Sequence, residues 1–243
     1  MSTLHAPLQR LPAIERLPAG ERGITLADFL VPIRISERIS YRVRDAALIV
    51  AGALVVALCA RIELLQTGQT IPILADFQIR LANSPVPITG QTFGVLVVGT
   101  ALGMRRGAAS LVLYLLLGLA LPFYAGGASG LGQFASRDEG RIVLGATGGY
   151  LIGFVAAAAL TGWLAEKGWD RRYLGAVVAM ILGNAVIYAF GLPWLMAATG
   201  QPLDWAVANG LAPFVILDLV KLLAAAAIFP TSWWFVRRHP EAR

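Results

Sequence analysis

The sequence predicts an all-α polytopic membrane protein: six transmembrane helices in one bundle, with both termini cytoplasmic. Three observations predict it. The 243-residue chain is 57% hydrophobic and 14% charged, with mean hydropathy +0.69, where an average soluble domain is roughly 25% charged. Its apolar residues gather in six runs, each near the ~20 residues that cross a ~30 Å hydrocarbon core at ~1.5 Å per residue. Its Lys and Arg concentrate in alternate segments between those runs. This composition excludes a disordered chain, a secreted disulfide scaffold and an ordinary cytosolic enzyme.

Residues 1–44 form a polar N-terminal extension. They lack the apolar stretch of a signal peptide. Phe29-Leu30-Val31 with Arg34 and Arg38 suits a helix lying on the membrane surface as well as it suits a disordered tail. The membrane domain spans 45–236. Its first run is Ala46–Leu65, interrupted late by Arg61 and Glu63. The second, Val86–Met104, is entered through Ser84-Pro85-Val86-Pro87. The third, Gly107–Tyr124, follows after Arg105-Arg106, so the pair reads as a tight helical hairpin. The fourth is Ile142–Ala165. The fifth, Tyr173–Ala198, is expected to break near Gly191-Leu192-Pro193. The sixth, Ala212–Val236, carries Asp218 and Lys221, and 237–243 is a short tail.

Six spans put both termini on one side. The N-terminal flank, the second and fourth connections and the tail hold twelve Lys and Arg, from Arg34 to Arg243. The other connections hold four: Arg61, Arg80, Arg137 and Arg141. The positive-inside rule makes the first set cytoplasmic. The net charge of +6 and the pI near 10.0 are thereby read as topology, not as a nucleic-acid surface.

Counting residues from the inner charges gives each polar side chain a depth. Gln91 lies ~21 Å up, Asn184 ~18 Å, Tyr188 and Lys221 ~24 Å, Tyr150 ~25 Å, Tyr124 ~27 Å and Asp218 ~28 Å. The polar groups of five spans thus share the outer half of the membrane. Ionisable side chains in a span are costly and face a bundle interior or a cavity, paired. Asp218 and Lys221, three residues apart, lie on one helical face. Together these residues outline a ligand cavity near the external surface, with one cation suited to an anionic group. The same Asp–Lys pair could instead be structural, and Asn184 with Tyr188 could be interhelical hydrogen-bond partners.

Small residues recur at four-residue spacing: Gly145, Gly149 and Gly153 on the fourth run, Ala47–Ala51 and Ala53–Ala57 on the first. Such faces let helices approach closely. Internal packing is the ordinary use, and a docking face for a membrane partner is the other. No phosphate-binding loop of the G-x-x-x-x-G-K-[ST] type is present, and Gly126–Gly132 does not match G-x-G-x-x-G. It reads as a flexible outer loop or lid, and Arg137-Asp138-Glu139 as a solvated tip. Cys59 stands alone, and His5 and His239 lie at the chain ends. Neither a disulfide, a metal site, a cofactor nor a catalytic constellation is expected, and the protein is not read as an enzyme.

Five blocks carry a resemblance. They are Pro85-Val86-Pro87-Ile88-Thr89-Gly90-Gln91-Thr92, Leu115-Leu116-Leu117-Gly118, Phe123-Tyr124-Ala125-Gly126-Gly127, Gly145-Ala146-Thr147-Gly148-Gly149-Tyr150-Leu151-Ile152-Gly153-Phe154 and Asp218-Leu219-Val220-Lys221. Together they resemble the BioY family, the biotin-specific substrate-binding (S) components of energy-coupling-factor transporters. Phe134–Arg141 looks like an insertion relative to it. The resemblance implies a six-helix bundle in the cell membrane that binds biotin, with Asp218, Lys221 and Gln91 as ligand residues and Tyr124 and Tyr150 as further candidates, while Asn184 is a candidate by its depth alone. It also implies a transmembrane coupling protein and ATPase subunits as partners, beside the surrounding membrane lipids, docking on the face of Ala47, Ala51, Ala53 and Ala57. An S component for another small vitamin or metabolite is the alternative. An autonomous proton-coupled transporter using Asp218 is a third reading.

Overall fold

A computed structural model describes residues 25–30, 41–65, 70–74, 77–80 and 84–238. Six helices build the bundle: α2 (Tyr41–Arg61), α3 (Gln91–Leu102), α4 (Met104–Gly118), α5 (Gly148–Glu166), α6 (Tyr173–Thr199) and α8 (Ala212–Arg238). Two short ones join them, α1 (Leu26–Leu30) and α7 (Leu203–Gly210). The predicted surface segment is described only in part, since Val31, Arg34 and Arg38 lie outside the described residues. Four helices are long and apolar enough to cross a membrane, over Arg42–Arg61, Gly148–Glu166, Tyr173–Thr199 and Ala212–Phe235. Their outward faces expose large apolar side chains, among them Leu58, Leu174 and Val220. That is the pattern of a surface solvated by lipid rather than water.

The second and third runs are 12- and 15-residue helices. Gly103, at φ 83°, separates them, a conformation that favours glycine. The ends it creates are capped by other parts of the bundle. Glu166, ending α5, accepts the Met104 N–H at 2.8 Å, and Arg106 Nε donates to the Leu102 carbonyl at 3.0 Å. Orphaned helix-end groups are thereby satisfied.

The structure corrects four sequence expectations. The fourth run does not start a helix at Ile142. Arg141–Leu144 instead pairs antiparallel with Ala135–Asp138, so the proposed solvated tip is a β-hairpin. Its two-residue turn holds Glu139 at φ 47° and Gly140 at φ 82°, the positive-φ pair whose twist suits a two-residue hairpin. The first run leaves the helix at Arg61, and Glu63–Leu65 pairs with Ile88–Thr89. The second run becomes helical only at Gln91. The fifth helix does not break at Pro193 but runs unbroken from Tyr173 to Thr199. Packing against α5 carries it through, with Trp194 lying on Gly148 and Gly149 and its indole N–H donating to the Gly145 carbonyl at 2.8 Å.

The core divides in two. One part joins α2 to α6 around Leu111, Tyr114, Leu151 and Ile187. The other gathers Leu26, Leu96, Met180, Leu222 and Phe229 at one end. Residues 25–30 pack at that end like a strap. Thr25, Leu26 and Ala27 are buried, and Asp28 receives Arg44 and two bonds of 2.9 Å from Arg106. Burial opposes the charge of Asp28. The Arg106 and Thr25 hydrogen bonds outweigh it and hold the carboxyl below its usual range.

At the same end Asp170, 1% exposed, accepts the Trp233 indole N–H at 2.6 Å. Burial pushes this carboxyl from 3.8 to about 6, against the opposing pull of Trp233 and Arg171. A folded-state value above the unfolded one stabilises below 3.8 and is lost as pH rises through 6. Asp170→Asn keeps an acceptor for Trp233 without a charge to bury. It is expected to melt above the wild type at pH 7.5, with the gap closing towards pH 4.

Candidate functional site

The sequence from Ser84 to Gln91 builds one wall of a cavity. Pro85 and Pro87 cannot enter a ladder as donors, so the chain arrives extended. Ser84 Oγ then closes a local turn through the Val86 N–H at 3.1 Å, and Gln91 opens α3. The cavity, about 560 Å³ with its open mouth included, lies between this wall, α5, α6, α8 and the loop after α4. Gln91, Tyr124, Tyr150 and Lys221 line it, with Thr89, Thr92, Gln133 and Tyr188. Apolar surface comes from Val86, Leu151, Phe154 and Phe214.

Lys221 is 8% exposed. Its ammonium donates to the Thr89 carbonyl at 2.7 Å, Asp218 Oδ1 at 3.0 Å and Thr92 Oγ1 at 3.2 Å. Those are all the protons it has. Asp218, 4% exposed, takes Lys221 and Thr92 on Oδ1 and the Tyr188 hydroxyl on Oδ2. A buried ion pair needs such supporting hydrogen bonds to offset its desolvation. The one-turn spacing seen in the sequence therefore yields a closed, neutral cluster joining α3, α6 and α8.

Gln91 is held from two sides. Its Oε1 accepts from Thr89 Oγ1 at 3.0 Å, and its Nε2 donates to the Tyr114 hydroxyl at 2.6 Å. Tyr150 donates to the Gly210 carbonyl at 2.9 Å and stands edge-to-face with Tyr188, tying α5 to α7. Tyr124 donates to the Leu115 carbonyl at 2.7 Å. Its ring fills the space above Gly118, where a Cβ would lie 2.3 Å from it.

The structure thus brings Gln91, Tyr124, Tyr150 and Lys221 to one cavity, with Asp218 bound directly behind Lys221. Asn184 is buried on α6, one turn from Tyr188, and does not line the cavity. Sequence reasoning missed Thr92, Gln133 and Tyr114. Thr92 carried a signal, because it sits one residue after Gln91 in a motif block. Tyr114 carried a weaker one, a hydroxyl set inside Leu-Val-Leu-Tyr-Leu-Leu-Leu.

The BioY family matches residues 34–238. The chain belongs to the BioY family. Among its relatives, "Biotin transporter BioY" of Rhizobium etli is 37% identical over 158 residues, 62% of this chain and 79% of that protein. "Biotin transporter BioY" of Thermotoga maritima is 35% identical over 160 residues, 65% of this chain and 88% of that one. The fold is similar to a crystal structure described as the S-component for biotin from an ECF-type ABC transporter. The TM-score is 0.61 at 24% identity, over 78% of this chain and 90% of that one.

The BioY family's predicted docking alanines separate in space. Ala53 and Ala57 are buried within the bundle, whereas Ala47 and Ala51 are exposed. A single helix turns its buried and exposed residues to opposite sides, so the four do not share one outward face.

Proposed function

We propose that this protein is the biotin-binding S component of an energy-coupling-factor transporter and mediates biotin uptake across the cell membrane. The observation that carries the reading is the closed Asp218–Lys221 cluster at the wall of an open cavity with mixed polar and apolar lining, in a chain of the BioY family. In this reading the chain crosses the membrane six times, the short helices α3 and α4 doing so together with the non-helical segments that flank them, the cavity faces outward and both termini are cytoplasmic. Residues 1–44 and 237–243 flank the membrane domain on that inner side.

Lys221 meets the anionic end of the ligand by exchange. All three of its protons are committed, and the Thr92 contact is the longest, so a carboxylate oxygen displaces that bond first. Asp218 keeps the ammonium oriented. Gln91 supplies a hydrogen bond to the ligand. Tyr124 and Tyr150 supply ring surface for its apolar body. A transmembrane coupling protein and ATPase subunits provide the energy, with the coupling protein meeting α2 at Ala47 and Ala51.

Titration calorimetry of monodisperse protein is expected to show one biotin per chain. Thermal-shift measurements across other small vitamins separate this reading from a different S-component ligand, since a ligand of the folded state raises its melting temperature. Uptake into vesicles lacking any ATPase, abolished by an uncoupler, would instead support autonomous proton-coupled transport. Heat absent on adding biotin, with a shift from another vitamin, overturns the choice of ligand.

A further inference from the structure

Tyr114 lies in the middle of α4, is 0% exposed and is not among the residues lining the cavity. Its hydroxyl joins two things that the cavity needs. It contacts Gln91 Nε2 at 2.6 Å, and it reaches the Phe123 carbonyl in the outer loop at 3.2 Å. Its ring stands edge-to-face with Tyr124, centroids 5.8 Å apart. Gln91 and Tyr124 both line the cavity.

The direction of each proton follows from chemistry. A carbonyl oxygen only accepts, so the single hydroxyl proton of Tyr114 points at Phe123. Toward Gln91 the Tyr114 oxygen is then an acceptor, and Gln91 must present its nitrogen. The other end of the chain agrees. Thr89 Oγ1 accepts the Gln91 backbone N–H at 3.2 Å and spends its own proton on Gln91 Oε1 at 3.0 Å. Tyr114 therefore selects one of the two amide orientations that a glutamine can adopt, and the Thr89 hydroxyl, able to donate or accept, accommodates it. Among the side chains of Thr89, Gln91 and Tyr114, one proton stays uncommitted: the second N–H of Gln91.

We infer that Tyr114 is a positioning residue for ligand recognition, fixing the Gln91 amide so that it offers an N–H to an acceptor oxygen of the ligand. This rests on the reading that Gln91 touches biotin. It goes further in naming the sense of the hydrogen bond, and in giving a role to a residue that lies outside the cavity wall. The same hydroxyl makes the Phe123 carbonyl part of the ligand's support, so the outer loop and Gln91 are set by one group.

Biotin affinity in a double-mutant cycle tests it, using full-length wild type, Tyr114→Phe, Gln91→Ala and the double variant. Tyr114→Phe keeps the ring and removes the hydroxyl. It is expected to weaken biotin binding about tenfold, as loss of one buried hydrogen bond does. In the Gln91→Ala background the same change is expected to cost nothing further, which a merely structural role would not produce. Equal losses in both backgrounds, or wild-type affinity in Tyr114→Phe, overturn the inference while leaving biotin binding intact. Wild-type affinity in Gln91→Ala overturns it through its premise. No binding by the wild type overturns the functional reading as well. Should Tyr114→Phe give no monodisperse protein, Gln91→Glu removes the amide nitrogen from the other side. It is expected to bind no better than Gln91→Ala, and wild-type affinity there overturns the orientation.

Discussion

Lys221→Met is expected to weaken biotin binding severely and to destabilise the protein at once. The ammonium is buried and makes three hydrogen bonds, one of them to Asp218. Removing one partner of a buried pair leaves an uncompensated charge, at about 3–5 kcal/mol. Truncating a buried charge contact to a ligand costs about 2–5 kcal/mol, at least ~30-fold in affinity. The two losses are separable. In Asp218→Asn/Lys221→Met no charge remains unpaired, so thermal stability is expected to return towards the wild type. Biotin affinity is not expected to return. Recovery of both would make the pair a structural element and move the ligand's anionic contact elsewhere. Stability is read by melting temperature and affinity by calorimetry on the same preparations.

Gly149→Ala is expected to give a large stability loss for the addition of a single methyl group. An added Cβ would lie 2.2 Å from Trp194 Cβ and 2.6 Å from the Phe190 carbonyl oxygen. Neither neighbour can yield easily. The Trp194 indole is anchored on the Gly145 carbonyl, and Phe190 O belongs to the backbone of α6. Overpacking of this kind typically costs about 1–3 kcal/mol, a fall of roughly 3–10 °C in melting temperature for a chain of this length. Biotin affinity should fall with it, because Tyr150 follows directly and lines the cavity. Gly132→Ala is the control. Nothing lies within 4 Å of its Cβ position, and no shift is expected.

The sequence revealed the bundle well where apolar length alone decides. Its predicted bounds for the fifth and sixth helices, Tyr173–Ala198 and Ala212–Val236, lie within two residues of those observed. Hydropathy could not separate membrane from edge where a short apolar run belongs to a strand. Ile142 and Val143 read as the start of a helix, yet both are exposed in a hairpin. Pro193 read as a break because local rules carry no knowledge of Trp194 locking α6 onto α5. The site divides in the same way. Residues that are costly in lipid, such as Asp218 and Lys221, announced themselves by depth. Thr92 and Tyr114 cost little and could not be told from ordinary helix positions. Their roles come from partners on other helices, to Asp218 across 126 positions for Thr92 and to Gln91 across 23 for Tyr114.

The segment at residues 25–30 lies upstream of the family match, which begins at residue 34. It nevertheless contributes Leu26 to the core and Asp28 to a clamp between Arg44 of α2 and Arg106 of α4. The cooperative folding unit of this protein therefore starts earlier than its homology does. Shortening the chain to the homologous boundary would uncover the apolar side of α8 around Leu222 and Phe229. It would also leave two guanidinium groups facing each other without the carboxylate they share. Those six residues act as a staple lying outside the family match, and the helix they brace is the one that bears Asp218 and Lys221.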